Sequence, residues 1–198
     1  MLLTTGQAAQ ELGCAITTLR RLVHAGLLPD LTHHGVRVMI PLTTVQSLAA
    51  RAHAPLHHLE ADEIAVLRVD AARHVTENDR DWTGFAASLP PETLLKALRG
   101  WWRCDAASVA AAGVLPVTVA GYVVAILTGL GQWETNAQGR RAFPHARLAG
   151  YVTDLATPVK HLTGVTDDEK RLADHLLGTR LPSRSSGPIA YVATRPTG

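Results

Sequence analysis

Apolar residues recur at helical spacing through the first fifty positions, and strand-like patterning replaces them further on. Ala8, Ala9 and Leu12 define one face of a helix that Thr5 can cap and Gly13 ends. Ile16, Leu19 and Val23, three and four residues apart, form the apolar face of a second helix from about Ala15 to His24, closed by Gly26. Between Leu31 and Ile40, His34-Gly35 precedes the alternating Val36, Val38 and Ile40, the pattern of a short hairpin with glycine at its turn. A third helix follows Pro41, with Thr43 or Thr44 as cap and Val45 and Leu48 turned inward.

Residues 52–62 carry a proline, His53, His57 and His58, and no sustained period, so they read as a linker. Two domains follow from this, 1–51 and 63–198. The second opens with the strand-like IAVLRVD, continues through a polar stretch containing Gly84, and reaches a helix from Pro91 to about Arg99. From Val114 the pattern becomes β: PVTVAGYVVAILTGL, RAFPHARLAGYV and a closing GPIAYVAT. One helical piece, Asp167 to Leu177, lies between the last two and is expected on the outside. The expected fold class is α+β, a small helical module joined to a mixed β domain.

Composition narrows this picture only a little. Apolar residues make up 46% of the 198 and charged ones 18%, which excludes wholesale disorder. A formal net charge of +2 is too small to indicate a polyanionic partner. Sixteen of the nineteen basic residues are Arg, which suits bidentate contacts to phosphate or guanine, although GC-rich codon usage yields the same bias. Cys14 and Cys104 form no CxxC or Cys/His cluster, so neither zinc nor a disulfide scaffold is expected, and a reducing cytoplasm fits. The chain starts without a signal-peptide pattern, and its most apolar stretch, Val114 to Leu130, is broken by Pro116 and by glycines, so no membrane span is expected. His33-His34 and His57-His58 lack the i, i+4 spacing of a helical metal site. Gly129 and Gly131 make only a GLG, not a phosphate loop, and no cofactor is expected.

The candidate chemistry lies in two places. With Ile16, Leu19 and Val23 packed, the second helix leaves Thr17, Thr18, Arg20, Arg21 and His24 free. Such side chains suit phosphates, a guanine edge or a thymine methyl. The hairpin adds His33, His34 and Arg37. The order helix, turn, helix, hairpin, helix is what a winged helix-turn-helix needs. The strings TTGQAAQELGCAITTLRRLVHAGLLP and GVRVMIPLTTVQSL resemble the DNA-binding domain of the MerR and excisionase superfamily. The A-x-x-L-G turn, the Thr-Leu-Arg-Arg opening, the G-L-[IL]-P exit and the G-x-R wing are all present, over about a quarter of the chain. Met39 and Leu22 stand where that family has aromatics. The resemblance implies double-stranded DNA as partner and transcriptional regulation as role. MerR regulators dimerise through a long helix after this domain, and residues 52–62 offer no heptads for one. Any homodimer is therefore expected to form elsewhere.

The second domain, with LLKALRGWWRCD, GLGQWETNAQGRRAF and PIAYVAT, resembles the PUA-like barrel superfamily that includes ASCH and EVE domains. That resemblance implies a nucleotide, modified base or small effector held between aromatic walls. Trp101, Trp102 and Trp133 are the candidate walls, Arg103, Arg140 and Arg141 the phosphate or base-edge contacts, and Asp105 the acceptor for an exocyclic amine. Adjacent tryptophans on a strand point to opposite sides, so Trp101 and Trp102 cannot both fill one core. Some ASCH proteins are amidohydrolases with a Thr-Lys-Glu group. Lys96, Lys160 and Lys170 do not sit beside a Thr and a Glu in that context, and no catalytic residue is assigned. The expected function is thus a DNA-binding regulator with a ligand-sensing barrel. The alternatives are a reader of modified DNA in a defence or mobile-element context, and a nucleoside amidohydrolase.

Overall fold

The computed structural model describes residues 1–77 and 79–195. A short strand, β1 (Leu2–Thr4), runs directly into α1 (Thr5–Glu11), and α2 (Ile16–His24) follows after a glycine turn. The hairpin β2 (Thr32–His34) and β3 (Arg37–Pro41) leads to α3 (Leu42–Ala49). β3 is the middle strand of a three-stranded sheet, with β1 on one side and β2 on the other. Thr4, not Thr5, caps α1: its hydroxyl accepts from the Gln7 amide at 3.3 Å while the Gln7 side chain accepts from the Thr4 amide at 2.9 Å. The expected hydroxyl cap on α3 is absent as well, because Pro41 occupies the cap position and Thr44 is buried.

The rest of the described chain is a mixed α+β arrangement. It comprises β4 (Glu63–Arg68), the hairpin β5 (Arg73–Glu77) and β6 (Arg80–Thr83), α4 (Pro91–Leu98), β7 (Gly100–Trp102), α5 (Ala106–Ala111), β8 (Leu115–Val119) and β9 (Tyr122–Thr128). Then come β10 (Glu134–Thr135), β11 (Arg141–Ala142), β12 (Arg147–Asp154), β13 (Val159–Leu162), α6 (Asp167–Leu176) and β14 (Ile189–Ala193). Six strands form the main sheet in the order β13-β12-β9-β8-β4-β14, with β4 and β8 parallel and every other pair antiparallel. Among the described residues no pairing joins β13 to β14, so the ladder is open. β7 instead pairs with β11 in a small separate sheet with β10.

Every residue of β9 is buried, so both faces of the sheet centre are covered and its run YVVAILT shows no alternation. Two residues, Ala120 and Gly121, both at positive φ, close the β8–β9 hairpin, the geometry that matches strand twist. α6 packs on β9, β12 and β13 and opens with a capping box from Thr166 to Glu169. The Glu169 carboxylate also accepts from Thr128 Oγ1 at 2.8 Å, Arg147 Nη2 at 2.5 Å and the Val165 amide at 2.7 Å. Burial works against its charge, but these donors outweigh it and hold the carboxyl down at about 2.

Residues 52–59 are not a free linker. Ala52 O accepts from the Arg180 amide at 2.8 Å, the Ala54 amide donates to Arg180 O at 2.9 Å, and Leu56 is buried at the start of a 3-10 turn. Further along, the Ala87 amide donates to Ala25 O, the Leu155 amide to Leu27 O, and Tyr122 Oη to Leu48 O at 3.2 Å. One continuous apolar cluster includes Leu19, Leu22, Leu27 and Leu48 together with Val66, Ile126 and Leu155. The apolar face of α2 accordingly centres on Leu19 and Leu22, with Val23 half-buried, while Ile16 at the first turn is 44% exposed. Of the expected Ile16, Leu19 and Val23, the first therefore lies outside the packed face, and Leu22 joins it, because the first turn of α2 projects beyond the body it packs on.

Candidate functional site

Adjacent positions on α2 lie 100° apart around its axis, and this separates the two arginines. Arg20 and His24 line a groove of about 550 Å³ with Thr4, Thr5 and Gly6 at the start of α1 and with Val36, Arg37 and Val38 on the hairpin. Arg20, His24 and Arg37 are exposed there, so the groove is rimmed by two guanidinium groups and an imidazole. Thr17 is exposed on the same helix, and His33 and His34 are exposed on β2. Six of the eight expected polar residues thus lie on the α2 surface and the hairpin away from the sheet.

Thr18 and Arg21 face the other way. Arg21 Nε pairs with Asp70 Oδ1 at 2.8 Å, and both residues line a cleft between α2 and the main sheet. The backbone of Asp70 is held by the Phe85 amide, which donates to its carbonyl at 3.0 Å. Gly84 makes that approach possible, since its φ is +91° and a Cβ there would meet Asp70 O at 2.7 Å.

The two adjacent tryptophans diverge, as alternation on a strand requires. Trp101 Nε1 donates to Asp79 Oδ1 at 3.3 Å, and its ring walls a cavity of about 810 Å³. Arg99, Arg140, Glu134 and Asn136 line the same cavity, with Thr76 and Glu77 from β5. Trp102 turns to the other side, where its Nε1 donates to Leu98 O at 2.9 Å and the Arg80 guanidinium lies 5.5 Å from its ring centre. Arg80 is almost fully buried. It pairs with Glu77 Oε2 at 2.6 Å and donates to the carbonyls of Ala97 and Gly100, so it fixes the end of α4 against β7. It thereby holds the backbone that leads into the tryptophan pair.

The remaining expected pocket residues do not join Trp101. Trp133 is 42% exposed outside this cavity. Arg141 Nη1 donates to Thr135 Oγ1 at 2.7 Å, bracing the β10–β11 turn. Arg103 is exposed. Asp105 caps α5, accepting from the Ala107 amide at 3.1 Å and Ser108 Oγ at 2.6 Å, and the Ser108 hydroxyl chiefly lowers its carboxyl pKa. Of the seven, only Trp101 and Arg140 share the cavity. Asp79 and Asn136 complete it from the β5–β6 hairpin and the β10–β11 turn, neither of which has an apolar period to announce it, together with Arg99 at the end of α4.

Burial raises the pKa of both cysteine thiols, the first in the turn before α2 and the second just after β7. Among the described residues no three His, Cys, Asp or Glu side chains are placed to hold a metal, and no helix is long and apolar enough to cross a membrane. Comparison with protein-family models, with curated proteins and with solved structures finds no match to this chain.

Proposed function

We propose that this chain is a sequence-specific DNA-binding regulator, with residues 1–51 forming a winged helix-turn-helix whose reading helix is α2. The observation that carries the reading is the gathering of Arg20, His24 and Arg37 around one groove between α2 and the hairpin. Thr17 and Arg20 are the candidates for base edges, and Arg37, His33 and His34 for the flanking backbone or minor groove. In an electrophoretic shift series Arg20→Ala lowers DNA affinity by about tenfold or more, the loss of one or two contacts worth ~1–3 kcal/mol each. Affinity also falls steeply with salt, in proportion to the phosphates neutralised. Unchanged affinity in Arg20→Ala rules out this assignment of α2.

A second reading makes the Trp101 cavity a site that senses a nucleotide, a modified base or another small effector, the role that the resemblance to PUA-like domains implies. An indole wall with Arg99, Arg140 and an amide side chain offers stacking, an anion contact and edge hydrogen bonds together. Trp101→Ala then abolishes any preference for a modified over a plain duplex while leaving binding to the plain duplex intact. Equal affinity of the unaltered protein for both duplexes removes the modified-base form of this reading.

A further inference from the structure

The cleft on the other side of α2 lies outside both of those surfaces. It measures about 550 Å³, within the range of small-molecule sites. Its floor is where the parallel pairing of β4 and β8 ends, at Arg68 and Thr118, and its outer wall is the Ser-rich segment from Pro182 to Gly187. Arg68 braces that wall: its Nη1 donates to Ser185 O at 2.7 Å and its amide to Pro188 O at 2.7 Å. Ser185 Oγ in turn donates to Ile189 O and accepts from the Gly187 amide, so the segment is held in one shape.

The donors that remain are unequal to the acceptors. Arg21 and Arg68 both face the cleft, against the single carboxylate of Asp70. The bond to Ser185 O is the only one the Arg68 side chain makes among the described residues, which leaves most of its fork open. The hydroxyls of Thr18, Ser183 and Ser186 also have no protein partner among the described residues. Two guanidinium groups and three free hydroxyls match a tetrahedral phosphate, with its several acceptor oxygens, better than a carboxylate with two.

We propose that the cleft between α2 and the Pro182–Gly187 segment binds a phosphorylated small molecule, with Arg21 and Arg68 gripping its phosphate. The incoming phosphate displaces Asp70 from Arg21, a cheap exchange because that pair is largely exposed. The inference rests on the DNA-reading assignment only in placing this ligand beside the reading helix.

Titration of the full chain with inorganic phosphate, AMP and adenosine tests the cleft without DNA. The expected result is saturable one-to-one binding of AMP, weaker binding of phosphate and none of adenosine. Arg68→Gln weakens AMP about tenfold. Asp70→Asn tightens it several-fold, a gain that a merely unfolded variant cannot produce. Arg184→Gln, outside the cleft lining, leaves it unchanged. Equal binding of adenosine and AMP, no binding at all, or indifference to both Arg68→Gln and Asp70→Asn overturns the proposal. So does a DNA-shift series in which Arg68→Gln costs as much affinity as Arg20→Ala, since the cleft is then a DNA-backbone contact. If AMP binds as expected while Arg20→Ala leaves DNA affinity unchanged, the cleft stands and the DNA reading alone fails.

Discussion

The first fifty residues and the sheet region hide their apolar surface in different ways. In the former, Leu19, Leu22, Val45 and Leu48 are spaced for helices, and polar residues occupy the other faces. In the latter, β8 and β9 are buried along their whole length, and polar groups inside are satisfied one by one, as Arg80 is by Glu77 and two carbonyls. The helical region can therefore present a polar surface without disturbing its core. In the sheet interior, by contrast, a charge such as Arg80 sits where specific partners await it. Yet the two share one apolar cluster and several backbone hydrogen bonds, which is more than neighbouring domains on a string would have.

The strongest test of that union is Leu27→Ala. Leu27 is fully buried and its carbonyl receives the Leu155 amide, so the truncation costs ~2–4 kcal/mol. All four tryptophans, at 82, 101, 102 and 133, lie in the sheet region. Fluorescence-detected denaturation should therefore shift to lower denaturant by the full amount, coincident with far-ultraviolet dichroism. Two separate transitions, with the fluorescence one unmoved, would show that the regions unfold independently.

The next effect belongs to the sheet region alone. Glu169 has a folded pKa of about 2 against an ordinary value of 4.5, so its charge stabilises the native state. That contribution is complete above pH 4.5 and is lost as pH falls toward 2. Since its partner Arg147 is half exposed, screening keeps it to ~1–2 kcal/mol. Measured by urea, the stability gap between the native protein and Glu169→Gln should narrow from pH 6 to pH 3 without closing, since pH 3 still lies above the folded pKa. A constant gap across that range would assign the carboxylate no linked proton.

The smallest change tests the seam directly. Tyr122→Phe removes the hydroxyl that donates to Leu48 O, a buried bond worth about 0.5–1.5 kcal/mol. A midpoint shift of that size, with the denaturant slope unchanged, is expected. No shift would mean that the Leu48 carbonyl finds another partner at no cost.

Local elements were legible where periodicity and punctuation agreed. The bounds of α2, α4, β4 and β14 follow from apolar spacing and from Gly26, Pro90-Pro91 and Gly187-Pro188. β1, α5 and β13 escape because three strand residues, an Ala-rich turn of helix and a half-exposed VKHL carry too little period. Arg20, Arg37 and Trp101 could be read as candidate contacts from side-chain chemistry. Their neighbours Arg68, Asp70, Asp79 and Asn136 could not, because they reach the cavities only through strand pairing between distant segments. The connection at 52–59 misleads for the same reason: its partner, Arg180, is more than a hundred residues away.

On the proposal that α2 reads DNA, the clasp between Ala52–Ala54 and Arg180 sets the geometry of reading. A reading head tethered by slack chain could swivel to meet binding sites at many separations. Held as it is, α2 keeps one bearing relative to the body. Two copies acting together would then work as a ruler, accepting half-sites separated by whole helical turns, multiples of about 10 base pairs, and refusing a spacer altered by half a turn.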